Sequence, residues 1–285
     1  MSTPSKVKKA IITGASSGLG YAVAALLLKS GSSVVNASRT GCDLGCENIP
    51  ADLADNDSIA GMIETVRERH QDCDLLVSCA GLMHWAEVGK NPISQIDNDL
   101  AVNLAGMIKV VDGIMPIIKK NRGDVVIVGS TSSFTTSAGS SLYCAAKHGV
   151  LGYIKALQTE FANEDVRIHG IHPGGFKSQF HIKARSKLKQ EVLMDPDELA
   201  AMILSFVALR ETCRFRRSSS TGKIRPPPEK PCPNRLNPPD RRPAQRSTIA
   251  RRLHAIFTLH EPDAPFVART GLLHAGGLSG GAQGA

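Results

Sequence analysis

The stretch KAIITGASSGLGYAVAALLLK, residues 9–29, joins a short apolar run to a longer one through a glycine-rich turn. The short run, residues 9–13, predicts a buried strand, and the long run, residues 19–29, predicts a helix that ends at Gly31. Glycines in such a turn let the backbone bend tightly and approach a pyrophosphate, while the helix amino terminus offers free N–H groups. A glycine-rich turn without a ligand is the alternative, but its position between a strand and a helix favours a nucleotide site.

Alternating strand and helix patterns continue to about residue 210. Pro116 is expected to break or end one helix, and Asp195 and Pro196 are expected to cap and begin the last one. This βαβ series predicts an α/β fold, a doubly wound, Rossmann-like parallel sheet with ligands at the carboxyl ends of its strands. The further strands are predicted at residues 33–37, 48–51, 75–78, 125–128 and 166–171, and the further helices at residues 57–70, 96–120, 141–161 and 194–209.

A serine, a tyrosine and a lysine within residues 129–147 have spacings that suit carbonyl chemistry. Ser130 follows a predicted strand, and Tyr143 and Lys147 lie four residues apart, on one face of the next predicted helix. A nearby ammonium favours a phenolate, so Lys147 is expected to lower the pKa of Tyr143 and let it transfer a proton. A solvated tyrosine and lysine on an ordinary helix surface are the alternative, and the surrounding motifs decide between the two.

These motifs, in this order, resemble those of the short-chain dehydrogenase/reductase family over residues 6 to about 210. Residues 13–20 match the family motif TGxxxGxG, Tyr143 and Lys147 match YxxxK, and Ser130 stands where the family has its catalytic serine. The resemblance implies hydride transfer between a nicotinamide cofactor and a carbonyl or alcohol substrate. It also implies that Tyr143 transfers the proton on the substrate oxygen and that Ser130 orients this oxygen. Lys147 would tune the tyrosine and bind the nicotinamide ribose.

The resemblance extends to further positions around the implied cofactor. Asn103, in VNLAG, matches an asparagine that would hold a water linking Lys147 to solvent. Asp52 matches an acidic residue that contacts adenine, and Ser178 follows the PG motif, where a threonine is often close to the nicotinamide amide. The implied catalytic residues are Asn103, Ser130, Tyr143 and Lys147. The implied cofactor-binding residues are Thr13, Gly14, Ser16, Ser17, Gly18, Leu19, Gly20, Ser38, Arg39, Asp52, Leu53, Ala80, Gly81, Tyr143, Lys147, Pro173, Gly174 and Ser178.

The end of the second predicted strand, VVNASRT, carries Ser38 and Arg39. NAD-specific relatives usually have an acidic residue at the position of Ser38, where it binds the ribose hydroxyls and repels a 2′-phosphate. A neutral side chain followed by a guanidinium suits a phosphate, because Arg donates charge-assisted hydrogen bonds in pairs. The expected cofactor is therefore NADP rather than NAD, with an ordinary surface arginine as the alternative interpretation.

Two features depart from the family pattern. Residues 78–81 read SCAG in place of NNAG, which keeps the small pair Ala80 and Gly81 but loses both amides. No pattern for the family's seventh strand follows the helix at residues 194–209, so the sheet is expected to lack that strand and to leave an unprotected edge. The consequence expected is lower stability, a tendency to associate, and low or absent activity.

The carboxyl-terminal part of the chain differs sharply in composition. Residues 214–252 contain 12 of the 34 Lys and Arg, two of the 26 Asp and Glu, and eight of the 16 prolines, although the whole chain has a net charge of only +8. Such a segment cannot bury enough apolar surface to fold, which predicts a domain at residues 1–212 and a disordered tail at residues 213–285. Basic arms also bind nucleic acid, but this segment has few aromatic residues for stacking on bases. Its abrupt onset where the family pattern stops favours a fused or frame-shifted segment.

The composition of the 285-residue chain, 42% hydrophobic and 21% charged, fits a soluble globular protein. No apolar run approaches the roughly 18 residues of a membrane span, and the amino terminus lacks the apolar segment of a signal peptide, so a cytoplasmic location without membrane association is expected. The seven cysteines and the histidines show no metal-ligand spacing, so no metal is expected. His84, Trp85, His148, His169 and His172 lie on different predicted elements, and most of this set are interpreted as packing or surface residues.

The sequence thus predicts an NADP-dependent oxidoreductase that interconverts a small-molecule carbonyl and an alcohol, and a homo-oligomer if the fold is intact. One alternative is a catalytically inactive dinucleotide-binding regulatory protein, and another is a truncated or frame-shifted relative with little activity. The presence of Ser130, Tyr143 and Lys147 favours an enzyme over a regulatory protein. The motifs do not define the substrate, because the residues that select it lie on irregular loops.

Overall fold

Six parallel strands form one sheet in the computed structural model, which describes residues 7–178 and 193–208. Their order across the sheet is β3-β2-β1-β4-β5-β6, and each neighbouring pair is parallel. The prediction of a doubly wound, Rossmann-like sheet is therefore confirmed. The strands are β1 (Lys9–Thr13), β2 (Ser33–Ser38), β3 (Glu47–Pro50), β4 (Leu75–Ser78), β5 (Asp124–Val128) and β6 (Arg167–Ile171).

Helices cover both faces of this sheet and bury a hydrophobic core on each. Helices α2, α4 and α5 contribute to one core, and α1 and α6 contribute to the other. Ile11 belongs to the first core and Ile12 to the second, because successive side chains of a strand point to opposite faces. The apolar run of β1 is thus continuous because both of its faces are buried. The helices are α1 (Gly18–Lys29), α2 (Asn56–Arg69), α3 (Ile93–Leu100), α4 (Met107–Lys120), α5 (Ser141–Glu160) and α6 (Pro196–Ala208).

The order of the strands places a crevice at the centre of the sheet. The chain builds β1, β2 and β3 outward in one direction and then returns to β4 on the other side of β1. The connections that leave the carboxyl ends of β1 and β4 therefore diverge, which opens a crevice where α/β sheets of this kind bind their ligands.

Pro116 neither breaks nor ends its helix, so that prediction is wrong. Helix α4 continues through it to Lys120, and the irregularity lies earlier, in a π-helix at Ala101–Gly106 that joins α3 to α4. Buried side chains on both sides of the proline, such as Ile114 and Ile118, hold α4 against the sheet. Tertiary packing thus outweighs the local preference of proline, which depends only on the backbone.

The helical run Ile93–Lys120 is the one helix among the described residues whose length and composition compare with those of a membrane span. It is long and apolar enough to cross a membrane by length and composition, with a mean hydropathy of 1.6 in its most apolar window. However, 61% of that window is buried inside the protein. Core helices of soluble proteins pass the same test, and here the apolar face packs on the sheet.

The side chain of Arg167 attaches the last strand and the last helix to the rest of the fold. Arg167 in β6 donates to both carboxylate oxygens of Asp124 in β5, at 2.6 and 3.1 Å, and to the carbonyl oxygen of Val207 in α6 at 2.6 Å. Asp195 accepts from the N–H of Asp197 at 2.9 Å, as expected of a cap. Within the described residues no strand follows β6, and the predicted domain boundary and tail at residues 213–285 lie outside them.

Two glycines in helical segments, Gly106 and Gly152, give a matched test of how closely the helices pack on their neighbours. A Cβ atom on Gly106 would lie 2.3 Å from the carbonyl oxygen of Leu53, whereas one on Gly152 in α5 would meet nothing within 4 Å. We expect Gly106→Ala to lower the free energy of unfolding by about 1–3 kcal/mol through overpacking. Gly152→Ala should raise it by about 0.5–1 kcal/mol, because alanine restricts the unfolded chain. Urea unfolding of both variants measures this, and equal effects would contradict the close approach.

Candidate active site

The turn between β1 and α1 adopts a conformation that suits glycine at two positions. Gly14 has a φ of +78° and Gly18 a φ of +58°, in the left-handed region that other residues rarely occupy. A Cβ atom on Gly14 would also lie 3.0 Å from the Cα atom of Ala80, at the end of β4. The turn is therefore shaped by backbone constraints as well as by the neighbouring strand.

Helix α1 begins without a side-chain cap. Its first N–H groups therefore remain available to a ligand, and the helix dipole favours an anionic one. The N–H of Ala15, in the turn, instead donates to the buried Asn36 Oδ1 at 3.1 Å, which fixes the turn against β2. This arrangement matches the way in which helix amino termini hold phosphates.

A cleft of about 930 Å³ runs along this turn and across the ends of the central strands. Its volume is within the range of known cofactor sites. Most of the predicted cofactor-binding residues line it, which fits a dinucleotide lying across the crevice. Those on its wall are Gly14, Ser16, Ser17, Gly18, Leu19, Gly20, Ser38, Arg39, Asp52, Leu53, Ala80, Gly81 and Ser178. The predicted cofactor-binding and catalytic residues that are not on its wall are Thr13, Asn103, Ser130, Tyr143, Lys147, Pro173 and Gly174.

Thr13 is fully buried and acts on the cleft indirectly. Its hydroxyl oxygen accepts hydrogen bonds from the N–H groups of Cys79 and Ala80, at 3.2 and 3.3 Å. These bonds hold the segment that replaces the family's asparagines against the end of β1. Cys79 itself lines the cleft, and burial raises the pKa of its thiol to about 12, so it stays protonated.

At the other end of the cleft, a buried amide holds the loop after β2. Asn36 Nδ2 donates to the carbonyl oxygen of Thr40 at 3.2 Å and to Asn48 Oδ1 at 2.9 Å. The hydroxyl of Ser38 lies 2.8 Å from Asn36 Oδ1, and Arg39, directly after it, is exposed. Asn36 was not predicted as a site residue, because an isolated asparagine in a strand gives no sequence signal.

Ser130, Tyr143 and Lys147 come together next to the cleft, and each is buried. The hydroxyl of Ser130 accepts from the N–H of Ser132 at 3.1 Å and is hydrogen-bonded to Tyr143. Lys147 Nζ lies 5.6 Å from the centroid of the Tyr143 ring and donates to the carbonyl oxygen of Val128 at 3.1 Å. The end of β5 and one face of α5 thus place a hydroxyl, a phenol and an amine within one small volume.

Burial has the largest effect on the pKa values of both Tyr143 and Lys147. It raises the pKa of Tyr143 to about 12, although the hydrogen bond from Ser130 acts in the opposite direction. Burial also lowers the pKa of Lys147 to about 8, since the amine is only 5% exposed. The expectation that Lys147 lowers the pKa of Tyr143 is therefore wrong for this state of the protein, because the loss of solvation outweighs the attraction between the charges.

Asn103 lies in the π-helix and braces the loop that follows β4. Its Oδ1 accepts from the N–H of Leu82 at 3.0 Å, and its Nδ2 donates to the carbonyl oxygens of Leu82 and Asp99, at 2.9 and 3.0 Å. A Cβ atom on Gly81 would lie 3.1 Å from Asn103 Oδ1 and 4.0 Å from Lys147 Nζ. Asn103 therefore fixes the loop beside Lys147, and π-helical segments often occur at functional sites.

The PG segment after β6 supports the serine from the opposite side. The carbonyl oxygen of Pro173 accepts from the N–H of Thr131 at 2.9 Å. His172 Nδ1 lies 3.0 Å from the hydroxyl of Ser133, which in turn accepts from the N–H of Ser130 at 3.3 Å. Burial lowers the pKa of His172 to about 4, so the ring is neutral at physiological pH. His172 carries no motif signal, since only the pairing of β5 with β6 brings it to Ser130.

Gly174 and Ser178 complete the predicted set. A Cβ atom on Gly174 would lie 3.9 Å from Thr131, close to the loop that holds Ser130. Ser178 approaches the glycine-rich turn, since a Cβ atom on Gly18 would lie 3.2 Å from the Ser178 Cβ. The residues that follow, 179–192, lie outside the described part of the chain.

The buried amine of Lys147 predicts a specific pH dependence of stability. Its pKa in the folded protein, about 8, is below its ordinary value of 10.5, so between these values the unfolded chain binds more protons. Stability therefore rises with pH in this window. Relative to Lys147→Met, the parent should gain about 1 kcal/mol of unfolding free energy between about pH 7 and about pH 9. Lys155→Met, which changes an exposed lysine in the same helix, is the control. If the unfolding free energies of the parent and Lys147→Met changed in parallel with pH, the lowered pKa of Lys147 would be wrong.

Comparison with known proteins agrees with this geometry. The model of the short chain dehydrogenase family matches residues 8–189. The chain is 34% identical over 182 residues to D-beta-hydroxybutyrate dehydrogenase of Rhizobium meliloti, which covers 59% of this chain and 70% of that protein. It is 28% identical over 232 residues to NADP-dependent 3-hydroxy acid dehydrogenase of Schizosaccharomyces pombe, which covers 72% of this chain and 88% of that protein.

Solved structures show the same fold. An alcohol dehydrogenase from the archaeon Thermococcus sibiricus, complexed with 5-hydroxy-NADP, superposes with a TM-score of 0.63 at 24% identity. The superposition covers 70% of this chain and 89% of that one. The family match spans well over half of the 285 residues and coincides with the sheet, the glycine-rich turn and the cleft. The chain therefore belongs to the short chain dehydrogenase family of oxidoreductases, whose members bind NAD or NADP and act on small-molecule substrates.

Proposed function

We propose that this protein is an NADP-dependent oxidoreductase that interconverts a carbonyl and an alcohol, with Tyr143, Lys147 and Ser130 as its reacting groups. The observation that carries the proposal is the convergence of these three buried side chains beside the cleft of the glycine-rich turn. Val128 joins the two regions, since it lines the cleft and its carbonyl oxygen accepts from Lys147. The named activities of the R. meliloti and S. pombe relatives, both on hydroxy acids, support this reaction class.

Tyr143, Ser130 and Lys147 have separate roles in the proposed reaction. The nicotinamide cofactor, when bound, supplies or accepts the hydride. Tyr143 holds its proton at neutral pH, because burial raises its pKa to about 12, and this is the form that donates to the oxygen of a carbonyl under reduction. Ser130 hydrogen-bonds to Tyr143 and thereby aligns the phenol with the oxygen. The Lys147 ammonium, close to the ring, stabilises negative charge as it develops on the phenol.

Tyr143→Phe tests the proton donor. The change removes only the hydroxyl, so the fold and cofactor binding should persist while turnover falls by roughly 10²- to 10⁴-fold, the range of general acid–base catalysis. Tyr153→Phe, a change of the same kind elsewhere in α5, should keep the parent rate. NADPH oxidation across a panel of carbonyl compounds measures this. Turnover by Tyr143→Phe at the parent rate would exclude Tyr143 as the acid–base group.

Arg39 supports the choice of NADP. It is exposed, follows β2 directly and lines the same end of the cleft as Ser38, which is neutral. A guanidinium in this position suits a 2′-phosphate, and the carboxylate that would repel such a phosphate is replaced by the Ser38 hydroxyl. The S. pombe relative is named as NADP-dependent, in agreement with this preference.

Replacing Ser38 and Arg39 should shift the cofactor preference from NADP toward NAD. In Ser38→Asp/Arg39→Ala a carboxylate replaces the neutral residue and the phosphate partner is removed, so the NADP/NAD ratio of affinities should fall by about 10- to 100-fold. Arg69→Ala, which removes an exposed arginine outside the cleft, should leave the ratio unchanged. Equilibrium titrations with both oxidised cofactors give the ratio, and an unaltered value in the double variant would refute the role of Arg39.

A further inference from the structure

A buried carboxylate lies directly beside a half-exposed histidine at the edge of the cleft. Asp99, in α3, is 1% exposed, whereas the His84 side chain is 45% exposed. His84 Nδ1 lies 2.8 Å from Asp99 Oδ1, and Gln95 Nε2 donates to the same carboxylate oxygen at 2.6 Å. Both His84 and Gln95 line the cleft, and neither takes part in the proton transfer described above.

The Asp99 carboxylate fixes the orientation and the tautomer of the His84 imidazole ring. A ring nitrogen and a carboxylate oxygen approach to 2.8 Å with a proton between them, so Nδ1 of His84 donates to Asp99. Gln95 Nε2 lies 2.7 Å from the same ring nitrogen, on the Asp99 side of the ring. Among the described residues no hydrogen bond involves His84 Nε2, so this nitrogen remains available to a ligand.

The loop that carries His84 is anchored at both ends close to the reacting groups. On one side, Leu82 is bonded to Asn103 through both its N–H and its carbonyl. On the other side, the N–H of Ala86 donates to the carbonyl oxygen of Gly139 at 2.9 Å, four residues before Tyr143. Gly81 adjoins Lys147, and three residues of chain span at most about 11 Å, so His84 stands near the proposed site of reaction.

The charges around the cleft give His84 a distinct role. Arg39 and His84 are the two basic side chains among the described residues of its lining, and Arg39 follows β2 at the other end. Lys147 is not on the lining and donates to the carbonyl oxygen of Val128. In its protonated form the His84 ring is a donor at both nitrogens, so Nδ1 donates to Asp99 while Nε2 can donate to an anionic group. The protonated ring of His84 therefore directs an N–H donor into the part of the cleft nearest the reacting groups.

We propose that His84, oriented by Asp99 and Gln95, binds an acidic group of the substrate. The preferred substrates are then oxo acids and hydroxy acids rather than uncharged ketones and alcohols. This inference rests on the proposed function, because it assumes that the substrate enters the same cleft. Asp99 and Gln95 are positioning residues, whereas His84 itself contacts the substrate carboxylate through Nε2.

The test compares an acid with its own ester. NADPH-dependent reduction of pyruvate, acetoacetate and levulinate is measured against the three methyl esters, which have the same ketone without the charge. For an accepted acid, His84→Asn should lower kcat/KM by roughly 10- to 100-fold, mainly through KM, as expected for a lost charge-assisted hydrogen bond. Reduction of the ester should change little. His148→Asn, an exposed histidine outside the cleft lining, is the matched control and should keep both rates.

Binding measurements separate this inference from the proposed reaction. Trp85, the single tryptophan of the chain, adjoins His84, so its fluorescence should report acid binding to the NADP complex. If the acids quench the parent and bind His84→Asn at least 10-fold more weakly, the inference holds even when nothing is reduced, and only the proposed reaction fails. Equal affinity of the parent for an acid and its ester would overturn the inference. A loss of NADP affinity in His84→Asn would also overturn it, because His84 would then contact the cofactor.

Discussion

The close approach of two backbones at the centre of the sheet is the constraint on which the cleft depends. The turn after β1 passes so near the end of β4 that a side chain on Gly14 would contact the backbone of Ala80 at 3.0 Å. The buried hydroxyl of Thr13 holds the two strand ends together through two N–H groups. With the ends joined, α1 leaves on one side and the loop of residues 81–86 leaves on the other, and the space between them is the cleft.

Burial gives two of the three proposed reacting groups, Lys147 and Tyr143, pKa values that they lack in water. Lys147 is placed where its amine is poorly solvated, with the carbonyl of Val128 as a hydrogen-bond acceptor, and its pKa falls to about 8. Tyr143 keeps its proton for the same reason. Groups that the fold holds in such unfavourable surroundings are typical of functional sites, because a chain selected only for stability would replace them by apolar residues.

The π-helix between α3 and α4 connects the two sides of the site. Asn103 binds the carbonyl oxygen of Asp99 on its own helix and both backbone groups of Leu82 on the loop after β4. The same irregular segment therefore positions the loop beside Lys147 and the carboxylate that faces His84. A regular helix would rotate the residues before and after the segment relative to each other, since a π-turn contains an additional residue.

Local patterns in the sequence by themselves determined the strand and helix order, the glycine-rich turn and the YxxxK helix, because these depend on neighbouring residues and on the periods of strands and helices. Their agreement with β1, α1 and α5 is close. Pro116 shows the limit of this reasoning, since packing between α4 and the sheet outweighs a local preference. Only the tertiary structure decided how Ser130 meets His172 through Ser133, how Asn36 braces the loop of Arg39, and how Asp99 comes to lie beside His84. These contacts join residues from separate elements. They arise from strand pairing and burial, and burial also raises the pKa of Tyr143, whereas the spacing to Lys147 had suggested a lower value.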